Sequence, residues 1–150
     1  MSAPDRLCFE EVEVGAEYLS PGRTVTEADI VLFAGLSGDY NVLHTDAEHM
    51  KGSVFGERIA HGLLGLSIQS GLLSRMLPPG GSPPHIGLKW RFRGPIRIGD
   101  TIRLRARVID KAPGDAPECG VVTIARQVLN QRDEIVQEGE TQHLVKRRPS

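Results

Sequence analysis

Cysteine is nearly absent. Cys8 and Cys119 are the only two in 150 residues, too few for a disulfide scaffold. Aromatic residues make up only 5%, so any core must be mostly aliphatic. An excess of one charge is also missing: 18 Lys and Arg stand against 19 Asp and Glu, for a formal net charge of -1. That balance offers no general attraction to nucleic acid or to an anionic membrane. No apolar run approaches the ~20 residues that span a bilayer. Pro4, Asp5, Glu10, Glu11 and Glu13 interrupt any apolar start of the kind a signal peptide needs. There is no internal repeat, no low-complexity tract and no long linker. The expectation is a single domain over residues 1–150, cytoplasmic, with no nucleic-acid or membrane partner. What is present fits that class: 39% hydrophobic and 25% charged residues are ordinary for a soluble globular chain.

The two halves of the chain are patterned differently. Tyr18 to Val25 reads as a short strand broken by Pro21-Gly22. Thr26 then begins a helix, with Asp29 at the reciprocal capping-box position, and Ser37-Gly38-Asp39 ends it. Thr45 followed by Glu48 repeats the cap signal, which predicts a short helix near 46–51. The strongest helix spans Gly62 to Met76. Leu63, Leu64, Leu66, Ile68, Leu72, Leu73 and Met76 surround most of it, the pattern of a helix buried all round. Gly62, Gly65 and Gly71 lower its propensity, and predict close approach to a neighbouring backbone. Pro78-Pro79-Gly80-Gly81 stops it.

The second half switches to period two. Leu88, Trp90 and Phe92 alternate with Lys89, Arg91 and Arg93. Ile102, Leu104, Ala106 and Val108 alternate with Arg103, Arg105 and Arg107. Both runs predict antiparallel strands with one face buried. Lys111 to Pro117 reads as a loop, and Val121–Leu129 with Ile135–Val145 as a further strand pair. The economical α+β solution is one buried helix wrapped by a curved antiparallel sheet.

Chemistry concentrates in Ser37-Gly38-Asp39-Tyr40-Asn41-Val42-Leu43-His44. A carboxylate, an amide and an imidazole follow directly on a helix break. Asp39 and His44 suit activation of a water by acid–base catalysis, with Asn41 placed to hold either one. Turn capping by Asp39 and a structural role for His44 are the plainer alternatives. Arg58-Ile59-Ala60-His61-Gly62-Leu63 leads into the main helix. The N–H groups there lack internal partners and carry partial positive charge. Gly62 leaves such an N–H open to a developing oxyanion.

These residues resemble the MaoC-like (R)-specific enoyl-CoA hydratases. Residues 37–44 are similar to that family's hydratase motif. Ile59-Ala60-His61-Gly62-Leu63-Leu64 is similar to its second signature, and Phe92-Arg93-Gly94-Pro95-Ile96-Arg97-Ile98-Gly99-Asp100-Thr101 to its strand region. The similarity runs in order over about 10–146. It implies the hot-dog fold, a long helix wrapped by an antiparallel sheet. It implies a catalytic pair Asp39 and His44, a thioester oxygen bound by the Gly62 N–H, and support from Asn41 and Ser70. It further implies acyl-chain or substrate contacts at His61 and Met50, a homodimer, and no cofactor beyond the coenzyme A of the substrate. The implied reaction is reversible addition of water to a trans-2-enoyl-CoA, giving the (R)-3-hydroxyacyl-CoA, within fatty acid metabolism. The length admits one hot-dog unit instead of a tandem pair, which points to a short or medium acyl chain. Two positions depart from the family pattern: Val42 stands where proline is usual, and Met50 where a small residue is usual. Neither removes a reacting group, so both bear on substrate choice.

Two rival functions share the fold. An acyl-CoA thioesterase would want a carboxylate on or near the central helix; residues 61–76 hold none, and Gln69 is the nearest polar candidate. A non-catalytic acyl-CoA-binding partner subunit would tolerate Val42 and Met50, but not explain Asp39, Asn41, His44 and Gly62 together. A metal is not expected, because His44, Asp46, His49 and His61 do not form an i, i+4 pair on one helix face. Arg91, Arg93, Arg97, Arg103, Arg105 and Arg107 read as a solvated sheet face or as coenzyme A phosphate contacts. His85 and His143 read as surface or structural.

Overall fold

The computed structural model describes residues 8–76 and 83–148. Six strands and four helices follow a short 3-10 turn at Phe9–Glu11: β1 (Glu17–Leu19), β2 (Arg23–Thr24), α1 (Glu27–Ser37), α2 (Val42–Thr45), α3 (Ala47–Met50), α4 (Gly62–Met76), β3 (His85–Phe92), β4 (Thr101–Pro113), β5 (Cys119–Leu129) and β6 (Ile135–Lys146). The antiparallel sheet has the order β1-β4-β5-β6-β3, with β2 also on β4. Pro21-Gly22 divides β1 from β2 as the sequence predicts. Between them the Ser20 hydroxyl accepts the Leu104 N–H at 2.8 Å, so a side chain bridges the gap in the ladder.

The helix starts follow side-chain chemistry. Thr26 caps α1, and its own N–H donates to Asp29 Oδ2 at 2.9 Å. Gly38 closes that helix at φ 75°, a left-handed position where a Cβ would be strained. The second cap differs from expectation. Asp46, not Thr45, accepts the His49 N–H at 2.8 Å and starts α3. Thr45 instead ends α2, donating to the carbonyls of Tyr40 and Asn41 at 3.0 Å each.

α4 crosses the concave face of the sheet. Leu64, Ile68, Leu72 and Leu73 pack on Ile102, Leu104, Ala106 and Val128. The helix is not buried all round, however: Leu63 is 58% exposed, and Ser67, Gly71 and Ser74 are open too. Gly62 and Gly65 lie close to side chains (Phe92; Gln137 and Ile96), not to backbone, and Gly71 faces open space. The proposed stop at residues 78–81 lies outside the described residues.

The strand β4 alternates as predicted, with Ile102, Leu104, Ala106 and Val108 all buried. It runs on to Pro113, so the start of the predicted loop is strand. The alternation on β3 gives a different result. Leu88 and Phe92 remain half exposed because β3 is an edge strand beside the open side of α4. Among the described residues no helix is long and apolar enough to cross a membrane.

Candidate active site

The break after α1 folds back as two short helical turns. Asn41 accepts the Leu43 N–H at 3.0 Å and caps α2. That cap places His44 within α2, ahead of the helix expected near 46–51. Val42 is the first residue of α2, where proline's fixed φ and missing N–H cost a helix nothing. Asp39 Oδ1 accepts the Asn41 N–H at 3.2 Å, which leaves Oδ2 facing His44 Nε2 at 4.0 Å. The Asp39 side chain is about half exposed, and that of His44 is buried.

Both site imidazoles are oriented by backbone carbonyls. His44 Nδ1 lies 2.7 Å from the Ile59 oxygen and must donate to it, so Nε2 is the nitrogen free to exchange a proton. His61 Nε2 lies 2.9 Å from the Asp39 oxygen. His61 Nδ1 is then a bare acceptor, buried and without a partner among the described residues. The two rings stack with centroids 3.8 Å apart, and Phe33 tilts against His61 at 5.0 Å. His61 thus joins the Asp39–His44 cluster.

The segment that carries Ile59 is itself fixed at three points. Ile59 N–H donates to Leu43, and Ala60 N–H to Ile96 at 2.8 Å. Arg58 grips both carboxylate oxygens of Glu27 at 2.6–2.7 Å. Those hydrogen bonds hold the Glu27 carboxyl below its usual range and raise the guanidinium. Gly62 follows as the first residue of α4, and its N–H has no acceptor among the described residues. A cavity of about 390 Å³ joins His44 to Gly62, with Phe92, Arg93, Pro95 and Gln137 among its walls.

Among the described residues, Asp39, His44 and His61 are the one group whose ligating atoms cluster, all within 4.8 Å. The composition is one a metal can use. Such a cluster also suits a water, which can both donate and accept hydrogen bonds there.

The chain matches a family model for the MaoC like domain over residues 10–129. It is 36% identical over 147 residues to an (R)-specific enoyl-CoA hydratase of Rhodospirillum rubrum, covering 97% of both. The chain belongs to the MaoC-like family. A solved structure of a monoamine oxidase regulatory protein from Archaeoglobus superposes with a TM-score of 0.91 at 38% identity, covering 99% of this chain and 100% of that one. A Mycobacterium tuberculosis protein with a double hot-dog fold superposes at 0.76 and 19% identity, covering 99% of this chain and 47% of that one. At that identity the likeness speaks for the fold alone, which is the hot-dog.

Within this MaoC-like chain, not every residue singled out by sequence meets the cluster. Ser70 lies two turns along α4, in a groove of about 490 Å³ between α4 and β3. Met50 is fully buried at the end of α3. Of the six arginines, Arg93 alone lines the His44–Gly62 cavity. It also pairs with Glu138 at 2.5 Å; Arg97 pairs with Glu57, Arg103 with Asp133 and Arg107 with Glu17. Gln137 gave no sequence signal. Its Nε2 donates to the Gly62 carbonyl at 2.9 Å, and its Oε1 accepts the Trp90 indole N–H at 3.0 Å. It ties β6 and β3 to the start of α4. Such a residue is visible only once strand register is known.

Proposed function

We propose that this chain is a hydro-lyase that reversibly adds water to trans-2-enoyl-CoA thioesters, forming (R)-3-hydroxyacyl-CoA. One observation carries the reading: His44, whose Nε2 faces Asp39 Oδ2 at 4.0 Å, lines the same cavity as Gly62, whose N–H has no acceptor among the described residues. The name of the Rhodospirillum rubrum relative supports the same chemistry.

In hydration, one water sits between Asp39 and His44. The pair shares a single proton. One member takes a proton from the water as its oxygen bonds to Cβ, and the other releases its proton to Cα on the same face. Exchange between the two then restores the starting state. His44 takes part through Nε2, because Nδ1 is committed to Ile59. Negative charge growing on the thioester oxygen meets the Gly62 N–H at the positive end of α4. His61 steadies the Asp39 backbone and stacks beneath His44. No cofactor enters beyond the coenzyme A of the substrate.

Gln69 does not serve the thioesterase alternative, since it is buried with its oxygen on Arg126. We also propose that a second copy covers the α4–β3 side, where Leu63, Ile86, Leu88 and Phe92 are each 52–58% exposed. Light scattering should give the mass of a dimer.

The test is a panel of enoyl-CoA and 3-hydroxyacyl-CoA thioesters with chiral product analysis. Asp39→Asn should keep the fold and lose hydration by a factor of about 10²–10⁴. An (S)-product, or wild-type turnover in that variant, would overturn the reading.

A further inference from the structure

Beneath α4, strand β5 places Arg126 at 1% exposure. Its guanidinium reaches Gln69 Oε1 at 3.0 Å, His143 Nε2 at 2.6 Å and His85 Nε2 at 3.4 Å. Its Nε has no partner among the described residues. None of these contacts is a carboxylate. His143, itself 1% exposed, donates through Nδ1 toward the Pro83 carbonyl, and its Nε2 accepts from Arg126 and the Thr141 hydroxyl. Burial lowers Arg126 only to about 10, which leaves it charged at neutral pH. Burial and Arg126 push His143 down to about 4, which leaves it neutral. A full positive charge therefore lies in the interior with only neutral partners among the described residues, an arrangement that is costly unless an anion completes it.

This cluster meets the α4–β3 groove through its neutral members, with Arg126 lying directly behind them. Gln69, His85 and Thr141 form part of the groove's lining, with Ser70, Leu66 and Leu88. The groove and the His44–Gly62 cavity are walled by the same three elements. From Gly62, Phe92 and Gln137 in the cavity, four residues along α4, β3 and β6 lead to Leu66, Leu88 and Thr141 in the groove. His85 is exposed and makes the longest of the guanidinium contacts. If the His85 ring swings out, Nη2 is left with a donor for a ligand oxygen while Gln69 and His143 stay in place. From Gly62 to Gln69 the helix advances about 10 Å. That is the reach of an extended chain of roughly eight carbons, with C–C bonds of about 1.5 Å.

We infer that Arg126 is an anion subsite at the far end of the acyl groove, and that it selects medium-chain thioesters whose acyl chain ends in a carboxylate. The inference rests on the hydratase reading for the thioester end of the ligand. The carboxylate end rests on Arg126 alone.

The test compares two chains of equal length that differ only at the tip. Calorimetric titration of the full chain with octanoyl-CoA and with 7-carboxyheptanoyl-CoA should show the acid bound at least about tenfold tighter. Among substrates, kcat/KM for trans-2-octenedioyl-CoA should exceed that for trans-2-octenoyl-CoA by a similar factor. Arg126→Gln should bring the affinity ratio close to one. In case that variant fails to fold, His85→Glu provides a second route. It sets a carboxylate of the protein itself on Nη2, and should likewise erase the ratio while Arg126 remains. Equal affinities in the wild type, or a preference that survives in a folded variant, would overturn the subsite. Absence of all hydration would instead strike the hydratase reading, and the calorimetric ratio would still decide the subsite.

Discussion

The inner face of the sheet has two unlike halves under one helix. On β4 the inward residues are Ile102, Leu104, Ala106 and Val108, buried to 5% exposure or less. On β6 the inward residues include Gln137, Thr141 and His143, buried to 2% or less, with Arg126 beside them on β5. Equal burial, opposite chemistry. The aliphatic half gains from leaving water and needs no particular partner. The polar half loses stability at each unsatisfied atom; every side chain there is tied to a named neighbour, although Arg126 Nε has none among the described residues. The first half holds the fold together, and the second shapes the groove that leads from the proposed reaction centre.

The largest expected effect breaks the aliphatic half. Leu104→Ala removes a fully buried side chain facing α4, and should cost about 3 kcal/mol in urea unfolding. The preference for one acyl tip over another should survive in the fraction that stays folded. A change in that preference would mean that the two halves are not separable.

The next effect sharpens the contrast through pH. Folded His143 binds its proton only near pH 4, against an ordinary value of 6.5, first because of burial and then because of Arg126. Between those values the unfolded chain holds more protons than the folded one. Stability is therefore full above about 6.5 and falls as the pH drops toward 4. Between pH 7 and pH 5 the loss from this group should be about 2 kcal/mol. His85 is lowered by the same causes and adds in the same direction. His143→Gln keeps a polar group near Arg126 and should flatten the dependence; an unchanged pH profile of the urea midpoint would refute the assignment.

The smallest effect tests one hydroxyl. Thr141→Val converts a position of the polar half into the chemistry of β4. It should cost about 1 kcal/mol, the worth of the lost hydrogen bond to His143 Nε2. A neutral or stabilising result would make Thr141 filler and not a partner.

The same contrast explains what the sequence made legible. Period two revealed β4 because its buried residues are apolar and its exposed residues are arginines. The strand at β6 was legible too, but not its buried face: Gln137, Thr141 and His143 face inward while Glu138, Glu140 and Gln142 face outward. Polar residues on both faces carry no alternation. On β3 the alternation was real, but an edge strand does not bury its apolar face within a single chain. At the candidate site, Asp39, His44 and Gly62 stood out in the sequence because their side chains, or the lack of one, define a motif with fixed spacing. The Ile59 carbonyl that sets the tautomer of His44 is backbone, and any residue type there supplies it. The inner ring of Gln69, Arg126 and His143 draws on three separate elements, so local spacing could not reveal it.

The clamp on residues 58–60 has a consequence for how the protein fails. Asp39, His44 and His61 do not stand on the long strands. They hang from α1, α2 and the start of α4, fixed by the Arg58–Glu27 grip, the Ile59–Leu43 bond and the Ala60–Ile96 bond. An attachment with so few links opens at lower cost than the sheet itself. Denaturant should silence the enzyme well before the β-sheet signal melts, and the gap between those two midpoints measures the strength of the clamp.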